Sequence, residues 1–143
     1  MARWDGTRTT DLPRRTWGYL PEERGLYKDL KVEDCVLYLA ELKGLSRHTA
    51  RERAARYFDQ LDLTAHKNKK VNDLSKGMQQ KVQVITTLIH QPALIIIDEP
   101  FSGLDPVSTR MLRDLIFDEH SRGATILFST HVMPQAEEIC EHV

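Results

Sequence analysis

The chain has 143 residues and a formal net charge of −1 at pH 7, from 20 basic and 21 acidic side chains. This length suits one domain with a sizeable core, and the balanced charge gives no electrostatic case for binding nucleic acid or an anionic membrane surface. Cys35 and Cys140 lack metal-ligand spacing, and no apolar run approaches the roughly 20 residues that span a bilayer. We therefore expect a soluble, cytosolic protein with reduced thiols.

The first half of the sequence predicts a small sheet fragment followed by helices. Asp5-Gly6 is a hairpin-type turn signal, and residues 16–20 predict a short strand that Pro21 closes. The spacing of apolar residues then predicts, in order, a helix at about 31–43, a second helix capped by Ser46, and a basic, solvated loop at 66–70.

The second half alternates between helices and strands, which predicts an α/β fold with parallel strands. Residues 94–97 are too continuously apolar for a half-exposed strand and fit a strand that is covered on both faces. Around this strand we expect a helix from Ser75 to about His90, a helix from Asp105-Pro106 to about His120, a strand at 124–129 and a short helix from Pro134.

Two adjacent carboxylates, Asp98 and Glu99, follow the buried strand. Ligands of parallel sheets bind beyond the carboxyl ends of the strands, which is where this pair falls. An uncompensated carboxylate buried there would be costly, so the pair needs a metal, a partner or water. Mg²⁺ held near a nucleotide is the natural compensator.

Four further motifs surround the acidic pair in a definite order. They read GYLPE at 18–22, LSKGM at 74–78, SGLD at 102–105 and STH at 129–131. Together with the acidic pair they resemble the ATPase domain of ABC transporters, from about Trp4 to the last residue. The segments GYLPEERGLY, LSKGMQQKVQ and DEPFSGLDP are most similar to the subfamily that pairs with ABC-2 type permeases, such as sodium and drug efflux systems.

The resemblance implies a partial P-loop NTPase core, with a parallel sheet and flanking helices, plus the helical subdomain of ABC proteins. Residues 1–143 would form a single incomplete ATPase domain. Its parts would be a sheet fragment with a Q-loop-like segment at 1–22, a helical subdomain with the signature motif at 23–90, and a part of the core with Walker B, D-loop and H-loop at 91–143.

The resemblance also assigns roles around ATP and Mg²⁺. Asp98 would bind Mg²⁺, usually through water, and Glu99 would polarise the attacking water as the catalytic base. His131 would hydrogen-bond the γ-phosphate. Glu22 would touch the metal and nucleotide and sense the membrane partner.

Other residues would serve a second ATPase domain in a head-to-tail dimer. Ser75 and Gly77 lie at a predicted helix N-terminus, whose N–H groups favour an anion such as the other subunit's γ-phosphate. Lys76 would add a positive charge beside that phosphate. The segment that would communicate between the subunits consists of Ser102, Gly103, Leu104 and Asp105.

The sequence departs from the family pattern at several positions. Glu22 stands where most of the family has glutamine, and a carboxylate cannot donate a hydrogen bond as an amide does. Lys76 and Met78 replace the commoner glycine and glutamine of the helix-start motif. The phosphate loop GxxxxGK[ST] does not occur; it would lie just upstream of Trp4. We therefore expect a chain truncated at both ends, with weak or absent nucleotide binding alone and poor solubility.

Each motif taken alone also has an ordinary structural interpretation. Asp98 and Glu99 could form part of a turn, Ser75 could be a plain helix cap and His131 a surface histidine. The helix face that carries Arg51, Arg53 and Arg56 is expected to be solvated. The order of all the motifs together favours the ATPase.

Three functions follow from this resemblance. The first is a cytoplasmic ATP-hydrolysing subunit, peripheral to the inner face of the cell membrane, that drives transport through a separate ABC-2 type permease. The second is an inactive interaction or assembly fragment without the phosphate loop. The third is a soluble ABC ATPase of repair or translation, which a long insertion or second ATPase module would have supported.

Overall fold

A computed structural model describes residues 3–4, 6–8, 13, 15–21 and 25–140. Predicted helices and strands in this part are found with ends within two residues of those expected. In chain order the elements are β1 (Arg3–Trp4), β2 (Thr7–Arg8), β3 (Trp17–Leu20), α1 (Val32–Leu42), α2 (Arg47–Gln60), α3 (Lys76–Leu88), β4 (Leu94–Asp98), α4 (Pro106–Ser121), β5 (Thr125–Ser129) and α5 (Met133–Ile139).

The main sheet is parallel, with strand order β3-β4-β5. Its register aligns Leu20 with Ile97 and Ile97 with Phe128, so the carboxyl ends of all three strands lie at the same end of the sheet. Helices α1 to α3 form the connection from β3 to β4, and α4 connects β4 to β5. The α/β class with parallel pairing is confirmed. The small β1–β2 hairpin is antiparallel, as the turn signal predicts.

Helices α3 and α4 cover one face of this sheet. On β3 a Cβ added to Gly18 would lie 2.6 Å from the carbonyl oxygen of Thr87 in α3, so the helix approaches the strand backbone closely. On the same face Ile97 lies near Ile116 of α4, around a small apolar cavity. The sheet and these helices therefore share an apolar core.

The opposite face is more open than expected. Tyr19, Ile96 and Leu127 occupy one register row on that face; Tyr19 is 47% exposed and Leu127 53% exposed. On β4 itself Leu94, Ile95 and Ile97 are buried and Ile96 is half-buried, so the strand for which cover was predicted is largely covered, and the exposed side chains of this row belong to the flanking strands β3 and β5.

Helix α3 is buried on all sides from Gln80 to Leu88. It contacts α1 on one side and β3 on the other, so the helical lobe and the sheet share one continuous core. The predicted division at residue 90 remains a prediction, since the packing is continuous across it.

The loop at 66–70 also caps a helix. Lys31 gives α1 no side-chain cap, and the first N–H groups of α1, at Val32 and Glu33, donate instead to the carbonyls of Lys69 and Lys67. The loop is solvated at residues 68–70, as predicted, but its backbone satisfies donors that a helix start would otherwise leave unpaired.

Two further expectations concern the cysteines and the membrane. Cys35 is buried and Cys140 half-buried, and both thiols are free, as expected. Among the helices of the described part, none combines the length and apolarity that a bilayer crossing needs.

Candidate functional site

The carboxyl ends of β4 and β5 bring the acidic pair and the histidine together. Asp98 at the end of β4 is in register with Ser129 at the end of β5. Glu99 and His131 therefore lie just beyond the carboxyl ends of two neighbouring strands. Glu22 lies outside the described residues. Its metal, nucleotide and partner roles therefore remain predictions.

Glu99 makes direct hydrogen bonds to the segment after β5. Its Oε1 accepts from the backbone N–H of His131 at 2.5 Å and lies 2.7 Å from the ring Nδ1 of His131. Its Oε2 accepts from the Thr130 hydroxyl at 3.3 Å. Three donors thus fix this carboxylate between the two strand ends.

The backbone explains how Glu99 turns toward β5. Its φ is +47°, a left-handed conformation that is uncommon for a residue other than glycine. Its N–H still donates to the carbonyl of Ser129 at 2.9 Å. The chain therefore leaves the strand directly after Asp98, at Glu99.

These contacts keep Glu99 ionised. Burial alone would raise its pKa, but the hydrogen bonds from the backbone and ring of His131, the charge of that ring and the Thr130 hydroxyl together lower the pKa below its usual value. The side chain of His131 is 82% exposed, so its second ring nitrogen faces solvent. The pair therefore presents an ionised acceptor and an accessible imidazole side by side.

Asp98 is half-buried, and its carboxylate makes no hydrogen bond or ion pair with the described residues. It lies on the same strand face as Ile96, the open face of the sheet. A carboxylate with no protein partner suits a hard cation, and Mg²⁺ commonly takes one or two carboxylates while keeping water and phosphate as its other ligands. Within residues the structure describes, no cluster of three or more candidate metal ligands exists. The donors fit a hydrated Mg²⁺ better than a fully protein-ligated ion.

Ser75 acts as the N-cap of α3, with its hydroxyl accepting from the N–H of Met78 at 3.2 Å. Ser75 and Lys76 are exposed and Gly77 is half-buried. A Cβ added to Gly77 would meet the Leu104 side chain at 3.5 Å, an ordinary contact, and the φ of Gly77 is not positive. The fold itself therefore does not require glycine at this position, unlike at Gly18.

The segment 102–105 packs against this helix start. Gly103, with φ of +75°, and Leu104 lie beside Gly77. Asp105 caps α4: its two carboxylate oxygens accept from the N–H and the hydroxyl of Ser108, both at 2.8 Å. These bonds from Ser108 lower the pKa of Asp105. Asp105 thus has a structural role within the chain, and its communication role remains a prediction, as do those of Ser102, Gly103 and Leu104.

Sequence reasoning missed several contacts. Thr130 binds Glu99, and the buried Gln80 side chain donates to the carbonyl of Pro100, directly after Glu99, at 3.0 Å. Arg53, expected on a solvated face, donates to the carbonyl of Ile89 at 2.9 Å. Only Thr130 carried a sequence signal, its place between the strand and His131. Polar residues on buried helix faces escape a search based on apolar spacing.

Comparison with known proteins identifies relatives of this arrangement. The family described as "AAA domain, putative AbiEii toxin, Type IV TA system" matches residues 6–133. The uncharacterized ABC transporter ATP-binding protein YhaQ of Bacillus subtilis is 48% identical over 126 residues, which are 88% of this chain and 42% of the relative. An uncharacterized ABC transporter ATP-binding protein of Alkalihalophilus pseudofirmus is 43% identical over 140 residues, 98% of this chain and 52% of the relative.

The fold is shared with a solved structure described as "Structure of ATP binding subunit of ABC transporter". It aligns with a TM-score of 0.84 at 35% identity, over 96% of this chain and 58% of that chain. The chain spans about half the length of the curated relatives it matches. The resemblance inferred from the motifs is confirmed: the chain belongs to the AAA domain family and, with these relatives, to the ABC transporter ATP-binding proteins.

Proposed function

We propose that this chain forms part of the ATP-hydrolysing site of an ABC transporter, whose Mg²⁺-dependent hydrolysis of ATP powers transport through a separate membrane permease. The observation that carries the proposal is the contact between ionised Glu99 and His131 beside the unpartnered Asp98. Ligands of parallel sheets bind beyond the carboxyl ends of the strands. There Glu99 can accept a hydrogen bond from water, His131 can donate one to phosphate, and Asp98 can bind a cation.

The geometry suggests how each residue acts. Asp98 would hold Mg²⁺ through its free carboxylate, and the cation would offset negative charge on the phosphates. Glu99, kept ionised, accepts a hydrogen bond from water and aims it at the γ-phosphorus. Its low pKa makes it a weak base, so it orients the water more than it removes a proton before attack. The water oxygen bonds to phosphorus as the bond to ADP breaks, giving ADP and phosphate.

His131 would contact the γ-phosphate. Because its Nδ1 is engaged with Glu99, that nitrogen carries the hydrogen of the neutral ring, and Nε2 is the nitrogen directed to a ligand. Protonated, the imidazole donates from Nε2 to a phosphate oxygen while still donating to Glu99. Thr130 keeps the carboxylate in place through its hydroxyl.

We propose that the exposed start of α3 serves a second ATPase domain. Ser75, Lys76 and Gly77 would bind the phosphate held by the partner domain in a head-to-tail dimer. The support is that the packing around Gly77 admits a side chain, so a close approach of an anion to the backbone gives a functional reason for glycine. The adjacent segment 102–105 would transmit the state of one domain to the other.

We also propose an ABC-2 type permease as the membrane partner, which would place the chain at the inner face of the cell membrane. The similarity of residues 18–27 to that subfamily supports the assignment. Near this segment, a cavity of about 500 Å³ lies between β3 and α1, lined in part by Trp17, Tyr19 and Leu42. Glu22, within the same segment, would couple the permease to the metal.

One observation favours an alternative. GxxxxGK[ST] does not occur in the 143 residues, and this loop is the main phosphate cradle of P-loop ATPases. The alternative is an interaction or assembly fragment that keeps the signature helix and the permease-facing lobe without turnover.

Nucleotide-dependent dimerisation tests the proposal against this alternative. We would join the chain upstream to a strand-loop-helix segment that carries GxxxxGK[ST], and introduce Glu99→Gln to stop hydrolysis. Size-exclusion chromatography with Mg-ATP is expected to show a dimer that disappears with ADP or with Ser75→Asp. A species that stays monomeric with saturating Mg-ATP would contradict the role of the α3 start.

A further inference from the structure

We propose that Gln80 is a positioning residue that holds the turn carrying Glu99 against helix α3. The proposal rests on the proposed function for its catalytic meaning, but the contact itself lies within the described chain. Gln80 is 2% exposed, and its side-chain Nε2 donates to the carbonyl oxygen of Pro100 at 3.0 Å. A buried amide that lost this acceptor would be costly, so the bond is a strong constraint on the turn.

The turn needs such a constraint because its own backbone bonds are few. Glu99 is left-handed at φ +47°, and Pro100 has no N–H to donate. Within the turn, Ser102 N–H reaches the Glu99 carbonyl only at 3.4 Å, and Leu104 N–H donates to the Phe101 carbonyl at 3.2 Å. The Pro100 residue is buried, and Gln80 supplies a donor to its carbonyl from outside the turn.

A second contact lies along the same helix face. Gly77, three residues before Gln80, packs against Leu104 at the far end of the turn. The first two turns of α3 therefore hold the segment 100–104 at both ends. Since Glu99 opens this segment, Gln80 connects the proposed phosphate-facing helix start to the position of the catalytic carboxylate.

Gln79 provides a matched comparison. It is the same residue type at the next position of α3, and its amide also donates to backbone carbonyls, those of Val71 and Leu74 at 3.1 and 3.3 Å. Those carbonyls precede the helix and lie outside the acidic turn. Loss of Gln79 should therefore cost stability without moving Glu99.

The test is NMR spectroscopy of the 143-residue chain without nucleotide. The reporter is the backbone amide proton of His131, which donates to Glu99. Gln80→Met is expected to move this proton upfield and to speed its exchange with solvent by roughly tenfold, because a displaced carboxylate weakens the bond. Gln79→Met is expected to leave both values as in the wild type. An unchanged His131 amide in Gln80→Met, or equal changes in the two variants, would overturn the proposal.

A wild-type measurement covers the case in which Gln80→Met does not fold. The side-chain amide protons of Gln80 should exchange at least roughly tenfold more slowly than those of exposed Gln60. Equal exchange would show that the bond to Pro100 is absent and would overturn the proposal. Neither experiment involves ATP, so a chain that passes them, but whose form joined to a phosphate loop fails to hydrolyse ATP, would refute the proposed function alone.

The catalytic consequence has its own readout. In the form joined to a phosphate loop, Gln80→Met is expected to lower kcat by roughly tenfold with little change in KM, since nucleotide contacts are untouched. A variant that raised KM and kept kcat would overturn the assignment of Gln80 to the carboxylate.

Discussion

At the scale of single residues, two glycines in neighbouring motifs have opposite reasons to be glycine. Gly18 lies under α3, where an added Cβ would come within 2.6 Å of a backbone oxygen that cannot easily move. Gly77 has ordinary space for a methyl group and a backbone that any residue adopts. The first glycine is required by packing, and the second is left to be explained by what binds there.

Gly77→Ala and Gly18→Ala should therefore change stability in opposite directions. Alanine at 77 should raise the free energy of unfolding by up to about 1 kcal/mol, since it favours the helix. Alanine at 18 should lower it by about 2 kcal/mol through overpacking. Urea unfolding of the chain measures both. If Gly77→Ala destabilises as much as Gly18→Ala, the glycine at 77 has a structural role after all.

His90 should make stability depend on pH. Burial lowers its pKa; the bond to the Trp17 carbonyl opposes this, while the charges of Lys43, Arg53 and Arg122 lower the pKa further. The unfolded chain, with a pKa of about 6.5, then binds this proton more readily than the folded chain. The free energy of unfolding should therefore fall as pH decreases below about 6.5.

His90→Gln removes the titrating group and keeps a donor for the Trp17 carbonyl. Urea titrations between about pH 5 and 7 should show a shallower slope of stability against pH in this variant than in the wild type. His48→Gln is the control, because the His48 side chain is 86% exposed. Identical slopes in all three proteins would exclude His90 as a source of the dependence.

At the scale of elements, α3 joins the parts of the molecule. Its start carries Ser75, its middle holds the acidic turn through Gln80, and the amide oxygen of Gln83 accepts from the N–H of Gly25 at 3.3 Å. One helix thus touches the segment after Glu22, the turn after Glu99 and its own exposed N-terminus. A ligand at any of these places would act on a single rigid element.

Ser75→Asp separates the cap from the proposed phosphate contact. Aspartate is as good an N-cap as serine, so the free energy of unfolding should change by less than about 0.5 kcal/mol. A carboxylate there would repel phosphate, so hydrolysis in the phosphate-loop form should fall sharply. If Ser75→Asp hydrolyses ATP as fast as the unsubstituted phosphate-loop form, the phosphate does not bind at Ser75.

Much of the element layout could be predicted because local signals agreed with one another. Ser46, Ser75 and Asp105 cap the helices that they were expected to cap. The strand ends then brought Glu99 and His131 together, because parallel strands end at one edge. The bond from Gln80 to Pro100 could not be predicted, since it depends on how a helix packs against a turn 20 residues away.

At the scale of the whole molecule, the sheet shows an apolar face. Tyr19 and Leu127 are both about half exposed in one register row, and β5 is an edge strand of the described sheet. Exposed apolar faces and unpaired strand edges favour association with other chains. This surface is a physical basis for the poor solubility expected of the chain alone.

Leu127→Lys should raise the soluble fraction of the chain on expression and reduce its association at high concentration. The side chain is already exposed, so the free energy of unfolding should change little. Light scattering against concentration measures the effect, with Val107→Lys, at an exposed position of α4, as the control. If both variants improve solubility equally, the open sheet face is not the cause.

Mg-ATP turnover with and without Glu99→Gln tests the hydrolytic role of Glu99 most directly. The comparison uses the 143-residue chain and the form joined to a phosphate-loop segment. We expect turnover in the joined form, with a loss of roughly a hundredfold or more in Glu99→Gln. The neutral amide of glutamine is a weaker hydrogen-bond acceptor for the attacking water than the ionised carboxylate. Turnover that survives Glu99→Gln unchanged would contradict the assignment of Glu99 and His131 as the hydrolytic pair.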